Sequence, residues 1–371
     1  MKLLIPGPVT TRAEVRAALA QDFAPWDQDF YPLYAGVRER LLPLAGVTAE
    51  THASLPLQGS GHFVVEAAIR TFVPRGGKIL VPMTGSYASR MTRLARECGR
   101  EVASLPVGEN ARVDPRMVGV ALAADPAISH LAFVYSETST GVVHDAAALT
   151  AVAGAAGRRV IIDAVSAFGA LPLDLSAMPE VDAALFTANK CLESVPGLAF
   201  AISPKEGLAR RAGQAESWCL DLADIHAHAE RVGTGSFRFT PPAQVLGALS
   251  VALALLEAEG GAPARLARYE ANLRALYDGV RAIGLTPCLP RTLQGPIVMN
   301  VLAPDDPRWD LQSFVDLLKL RGFLISNFYD TTLPSFRVGL IGALGPEDYR
   351  AAVAAMDEAL GGLGIRKRKA A

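Results

Sequence analysis

The chain has 371 residues, half of them hydrophobic and 20% charged, which excludes a largely disordered protein and supplies a core for two or three domains. Its 36 basic and 37 acidic side chains leave a formal charge of −1, so it has no general attraction for a polyanion and nucleic acid is not an expected partner. Four cysteines (Cys98, Cys191, Cys219 and Cys288) lie far apart without a C-x-x-C pair, which fits neither a disulfide framework nor a zinc ribbon, so no metal site is expected.

Proline at position 6 leaves no room for a signal-peptide core, which predicts a cytoplasmic setting. Buried strands are expected at 78–82, 128–135, 159–163, 182–187 and 198–203, where short runs are apolar on both faces. Helical patterns fall between several of them, at 62–72, 87–98, 114–123 and 146–156. That alternation predicts an α/β fold, a mostly parallel sheet covered by helices. After Thr240-Pro-Pro242 the texture changes. A helix is expected over 243–259, ending at Gly260-Gly261, and a second over 264–283. The most apolar part of the first, 245–256, is too short to span a bilayer, so no membrane is expected. Strand-like runs at 297–302, 323–326 and 335–339 then mix with helices at 311–321 and 346–360. The expected division is a large α/β domain over 1–250 and a smaller α+β domain over 251–371. The basic run Arg366-Lys-Arg-Lys369 reads as a solvated tail.

Three features carry chemistry. Gln58-Gly-Ser-Gly-His62 runs straight into a helix, so backbone N–H groups and the positive helix end face the loop, with the Ser60 hydroxyl as an extra donor. That is a cradle for a phosphate-sized anion, although such a turn also caps helices without any ligand. There are only seven lysines, and Lys190 alone sits just beyond a buried strand. Asp163 occupies the equivalent place after another. Ligands of open α/β sheets gather at the carboxyl ends of strands, so both side chains would face one crevice. A lysine there can form a Schiff base and a carboxylate can hold a pyridinium proton; a plain Asp–Lys ion pair is the other reading. Taken with the anion cradle, they are the three attachments that pyridoxal 5′-phosphate requires. No G-x-G-x-x-G fingerprint supports a nicotinamide enzyme instead.

In this order along the chain, the residues resemble those of the class V aminotransferases, fold type I pyridoxal-phosphate enzymes, and within them the branch acting on 2-aminoethylphosphonate and pyruvate. The likeness rests on Pro6-Gly-Pro-Val-Thr-Thr11, Leu57-Gln-Gly-Ser-Gly61, Gly85-Ser-Tyr87 and Ser136-Glu-Thr-Ser-Thr-Gly141. It continues through Ile162-Asp-Ala-Val-Ser166, Ala188-Asn-Lys-Cys191, Arg238-Phe-Thr240 and Phe336-Arg-Val-Gly339. The resemblance implies a seven-stranded sheet and a homodimer. It makes Lys190 the Schiff-base lysine and proton carrier, and Asp163 the partner of the ring nitrogen. It gives Ser60, Gly61, His62 and Asn189 to the phosphate, with Thr240 donated by the partner subunit. Tyr87 would stack on the ring and Thr138 or Ser139 would meet its 3-oxygen side. Arg337 would clamp the substrate's anionic group. The opening segment 1–20 would reach the site, with Gly7 and Thr10 binding substrate.

One loop departs from the branch: where it carries a Tyr-Pro-Gly-Lys turn, this chain reads Ser326-Asn-Phe-Tyr-Asp330. The expected reaction is transfer of nitrogen from 2-aminoethylphosphonate to pyruvate. An alanine–glyoxylate or serine–pyruvate type transaminase is the nearest alternative, and a lyase of the cysteine-desulfurase kind a more distant one.

Overall fold

A computed structural model describes residues 1–233 and 236–365, so the basic run at 366–369 lies outside the described residues. In chain order it has β1 (Lys2–Leu3), α1 (Ala13–Ala17), α2 (Phe30–Leu41), β2 (His52–Gly59), α3 (Gly61–Phe72), β3 (Lys78–Met83) and α4 (Ser86–Glu97). Then come β4 (Glu101–Pro106), α5 (Pro115–Ala124), β5 (Ile128–Val134), α6 (Ala146–Ala155), β6 (Arg159–Asp163), β7 (Val181–Thr187) and β8 (Gly197–Pro204). These strands from β2 onward form one seven-stranded sheet in the order β2-β8-β7-β6-β5-β3-β4. All its strands run in one direction except β8, which is antiparallel to both β2 and β7.

Alternation along each inner strand feeds two cores. Val160 and Ile162 of β6 and Ala184 and Phe186 of β7 belong to the cluster on one face, whereas Ile161, Ala183 and Leu185 belong to that on the other. Burial on both faces is why these strands read as unbroken apolar runs. The two edge strands did not read that way. β4 is half exposed along its length, and β2 carries Pro56 inside it.

The remainder comprises α7 (Lys205–Ala209), α8 (Leu222–Val232), α9 (Ala243–Glu259), α10 (Gly261–Ala282), β9 (Val298–Leu302), α11 (Leu311–Leu320), β10 (Phe323–Leu324), β11 (Ser335–Gly339) and α12 (Pro346–Gly362). The second helix of the pair begins three residues earlier than the sequence predicted: Gly260, at φ 107°, and Gly261, at φ 76°, make the left-handed break, and the second of them already opens α10. Position 250 falls inside α9, whose Leu246, Leu249, Leu253 and Leu256 pack into the large-sheet core. A further core gathers α10, α11, α12 and the antiparallel pair β9–β11, and Leu4 joins it. The chain start is tied there by β1, which pairs in parallel with β10. Among the described residues no single helix is long and apolar enough to cross a membrane; α9 and α10 meet that measure only together, and they are bent by 80°.

Candidate active site

The carboxyl ends of β2, β3, β5, β6 and β7 lie along one edge of the sheet, and the chain beyond each of them reaches the same region. Several helices are capped locally by aspartate: Asp145 accepts from Ala148 N at 3.0 Å, Asp221 from Asp224 N at 3.0 Å and Asp310 from Ser313 N at 2.7 Å. The two helices facing this region differ. Ser60, before α3, makes no side-chain cap bond, and the first turn of α3 has no acid, so its N–H groups and positive end stay available to an external anion. The start of α4 is served from another strand. The buried Glu137, beyond β5, accepts from Tyr87 N at 3.3 Å and Ala88 N at 3.4 Å.

A cleft of about 150 Å³ opens there, lined by Ser60, Gly61, His62, Tyr87, Asp163 and Lys190, with Asn189 and Thr187 beside them. Asp163 ends β6 and is 6% exposed. Its Oδ1 accepts from Val165 N at 3.0 Å. Burial pushes this carboxyl up from 3.8 to about 6, against the lowering effect of that backbone bond. Lys190 follows β7 and is 8% exposed, and its Nζ donates to the Pro6 carbonyl at 2.6 Å. Burial, then the charge of Arg337, brings the amine down from 10.5 to about 8. Gly7 makes this approach possible. Its φ is +131°, and a Cβ there would stand 2.6 Å from Lys190 Cδ.

His62 and Tyr87 stack with ring centroids 6.5 Å apart. Partial burial and the nearby Arg90 and Lys190 hold His62 below its usual range, so the ring is neutral near pH 7. The Arg90 guanidinium lies 4.6 Å from the Tyr87 ring centroid. Tyr87 and Arg90 also line a second, adjoining cleft, shared with Gly7, Ser326, Phe328 and Arg337. The Lys190 cleft and the Arg337 cleft are therefore contiguous.

Several residues singled out in the sequence lie elsewhere. Thr138 and Ser139 line neither cleft; the Thr138 hydroxyl shares a 2.6 Å hydrogen bond with Ser166, and the Ser139 hydroxyl donates to Glu137 at 2.6 Å. Thr10 accepts from Leu3 N at 2.7 Å, closing the opening segment on itself. Thr240 is exposed and lines a separate cavity with Gly59, Phe63 and Phe239. Cys191 is buried, and burial pushes its thiol up to about 12, so it is inert. Glu137 escaped the reading of the sequence. Its signal was an acid shortly beyond a buried strand, past the end of β5 at Val134, where Asp163 is itself the last residue of β6.

The residues fit pyridoxal phosphate. An uncapped helix end with a free serine hydroxyl suits the phosphate. A desolvated carboxylate suits a protonated ring nitrogen, and a lysine with a lowered pKa suits the aldehyde. The Thr187 hydroxyl, in the wall of the same cleft, is buried without a partner. The sheet order and these strand-end residues define a fold type I pyridoxal-phosphate enzyme.

Comparison with known proteins narrows this. The model of the family Aminotransferase class-V matches residues 33–302, and the chain belongs to that family. A 2-aminoethylphosphonate–pyruvate transaminase of Burkholderia ambifaria is 43% identical over 367 residues, covering 99% of this chain and 97% of that protein. One of Pseudomonas putida is 42% identical over 358 residues, 96% of each chain. Among solved structures, the pyridoxamine–pyruvate aminotransferase of Mesorhizobium loti superposes with a TM-score of 0.88 at 25% identity, covering 98% of this chain and 93% of that one. The chain is thus a pyridoxal-phosphate-dependent aminotransferase, taking a small-molecule amino donor and a keto-acid acceptor. A nicotinamide oxidoreductase is set aside.

Proposed function

We propose that this aminotransferase moves the amino group of 2-aminoethylphosphonate to pyruvate, yielding phosphonoacetaldehyde and alanine. The observation that carries the donor is the identity of 42–43% with transaminases of that name over 96% or more of the chain. The contiguity of the Lys190 cleft with the Arg337 cleft supports it. Bound pyridoxal phosphate supplies the aldehyde that accepts the donor's nitrogen and the ring that withdraws electrons from the adjacent carbon. Ser60 Oγ and the backbone N–H groups of Gly61 and His62 would hold its phosphate at the helix end, with Asn189 assisting. The Asp163 carboxylate would keep a proton on the ring nitrogen. Lys190 Nζ would carry the proton, taking it from the carbon that bears the donor's amine and giving it back within the same cleft. An amine brought near 8 by burial suits that exchange near neutral pH. Arg337 orients the donor by its anionic tail, and Tyr87 packs against the ring. Thr138 or Ser139 reaches the ring's 3-oxygen side only if its hydroxyl leaves its present partner.

A homodimer in the cytoplasm is part of this reading. Thr240 lies outside its own chain's cleft, as a residue donated to the partner would. The exposed Phe63, Trp218 and Phe239 near it offer an apolar contact face. None of the four cysteines is disulfide-bonded, which suits a reducing compartment. The small domain over 251–371 is proposed to carry Arg337 to the cleft.

The test is a half-reaction. Protein loaded with pyridoxal phosphate is mixed with 2-aminoethylphosphonate alone, and the visible absorbance of the lysine-bound cofactor is followed. Loss of the band and its return with pyruvate are expected, and Lys190→Ala shows no band. Conversion by alanine or serine but not by the phosphonate would instead establish the alternative donor class.

A further inference from the structure

Arg337 does not stand free in its cleft. Its Nη1 donates to Asp330 Oδ2 at 2.6 Å and to the Thr138 carbonyl at 3.1 Å. Asp330 is held from the other side by Ser86, whose hydroxyl donates to Oδ1 at 2.9 Å. Both members of the ion pair are largely buried, with side chains 6% and 13% exposed. Arg337 Nε is buried and has no partner, so the guanidinium retains unused donor capacity beside an internal carboxylate. Phe328, from the same loop as Asp330, lies over the guanidinium at 5.2 Å. An oxyanion from the chain itself thus occupies the group that would bind an oxyanion of the substrate.

We propose that Asp330 is an internal competitor that sets the affinity threshold at Arg337: an anionic donor tail binds Arg337 by displacing the Asp330 carboxylate. The proposal rests on the reading of Arg337 as the anion clamp. A carboxylate attached by a short loop competes at an effective concentration on the order of millimolar or above. Every anionic tail is therefore weakened by the same factor, and only one whose own affinity for the guanidinium exceeds that factor binds at working concentration. A neutral amine leaves the pair closed. This device depends on the loop that departs from the Tyr-Pro-Gly-Lys turn, since Asp330 belongs to it.

Displacement has a signature that simple repulsion lacks. Removing a competitor improves every anion by the same factor. Removing a fixed negative charge that stays in place improves a dianion by about the square of the factor for a monoanion, because the repulsion scales with charge. The experiment is titration calorimetry of the cofactor-loaded protein with propylphosphonate and with butyrate, neither of which has an amine to react. The pH is chosen so that the phosphonate is doubly ionised. Asp330→Asn is expected to tighten both ligands about tenfold or more and by equal factors. Arg337→Leu removes the gain, and Asp330→Asn/Arg337→Leu binds like Arg337→Leu alone. In turnover, Asp330→Asn lowers the KM of the anionic donor with kcat held within about twofold.

Unchanged or weaker binding in both Asp330→Asn and Asp330→Ala would overturn the proposal. A markedly larger gain for the phosphonate would also overturn it, by showing that Asp330 repels without being displaced. Because neither probe is a substrate, failure of 2-aminoethylphosphonate as donor would leave this measurement intact, and the reverse holds too.

Discussion

Asp163 is held in a place that suits a bound cofactor and penalises the protein without one. Its carboxyl sits at about 6 where an unfolded chain has it at 3.8. That difference corresponds to about 3 kcal/mol of destabilisation once the group is ionised in both states. Between pH 3.8 and 6 the folded protein binds more protons than the unfolded one, so stability falls as pH rises through that window. The penalty is absent below it and complete above it. Asp163→Asn keeps the oxygen that accepts from Val165 N and removes the charge, so it is expected to stabilise the cofactor-free protein. With unfolding entropy of about 2.1 cal/mol/K per residue, 3 kcal/mol over 371 residues amounts to about 4 °C in Tm. The assay is thermal unfolding of cofactor-free wild type and variant at pH 7.5 and pH 5. The variant should melt about 4 °C higher at pH 7.5 and about half as much higher at pH 5. Saturating pyridoxal phosphate should reverse the order, because a protonated ring nitrogen pairs only with the wild-type carboxylate. A variant that melts no higher than wild type at pH 7.5, or by an amount independent of pH, would refute the reasoning.

Lys190→Met should likewise stabilise the cofactor-free chain at pH 7, by up to about 3 kcal/mol, since the buried amine has fallen from 10.5 to about 8. Here the unfolded state binds more protons between those values, so the wild type recovers with rising pH and the gap in urea midpoints should close by pH 10.5. Gly7→Ala puts a Cβ 2.6 Å from Lys190 Cδ at a φ of +131°. It should cost about 1–2 kcal/mol in stability and slow the half-reaction at least tenfold by displacing the lysine, a loss that stopped-flow absorbance would read. Arg265, 1% exposed, binds Glu259 Oε2 at 2.7 Å and the Cys191 carbonyl at 2.8 Å. Arg265→Leu should destabilise by about 3 kcal/mol in urea unfolding, because the partly buried Glu259 carboxylate loses one of its two arginines and the turn after Lys190 loses a donor.

Read by itself, the sequence determined the five inner strands, the helix start at Ser60, and the placement of Asp163 and Lys190 at the ends of two of those strands. Strands buried on both faces have no choice but unbroken apolar runs, and a polar residue just past such a run stands out against them. Helix ends told less. Ser60 was legible as the start of a helix, but that its hydroxyl makes no cap bond is a fact of geometry. The edge strands β2 and β4 were invisible because one contains a proline and the other is half exposed, so neither carries the inner-strand pattern. Only tertiary structure decided the rest. Pro6 and Lys190 meet across 184 positions, Glu137 caps a helix that begins 51 residues before it, and Asp330 closes on Arg337 under the hydroxyl of Ser86. Such contacts leave no periodic trace in a chain, because they are set by where separate elements end in space and not by what each element needs in order to form.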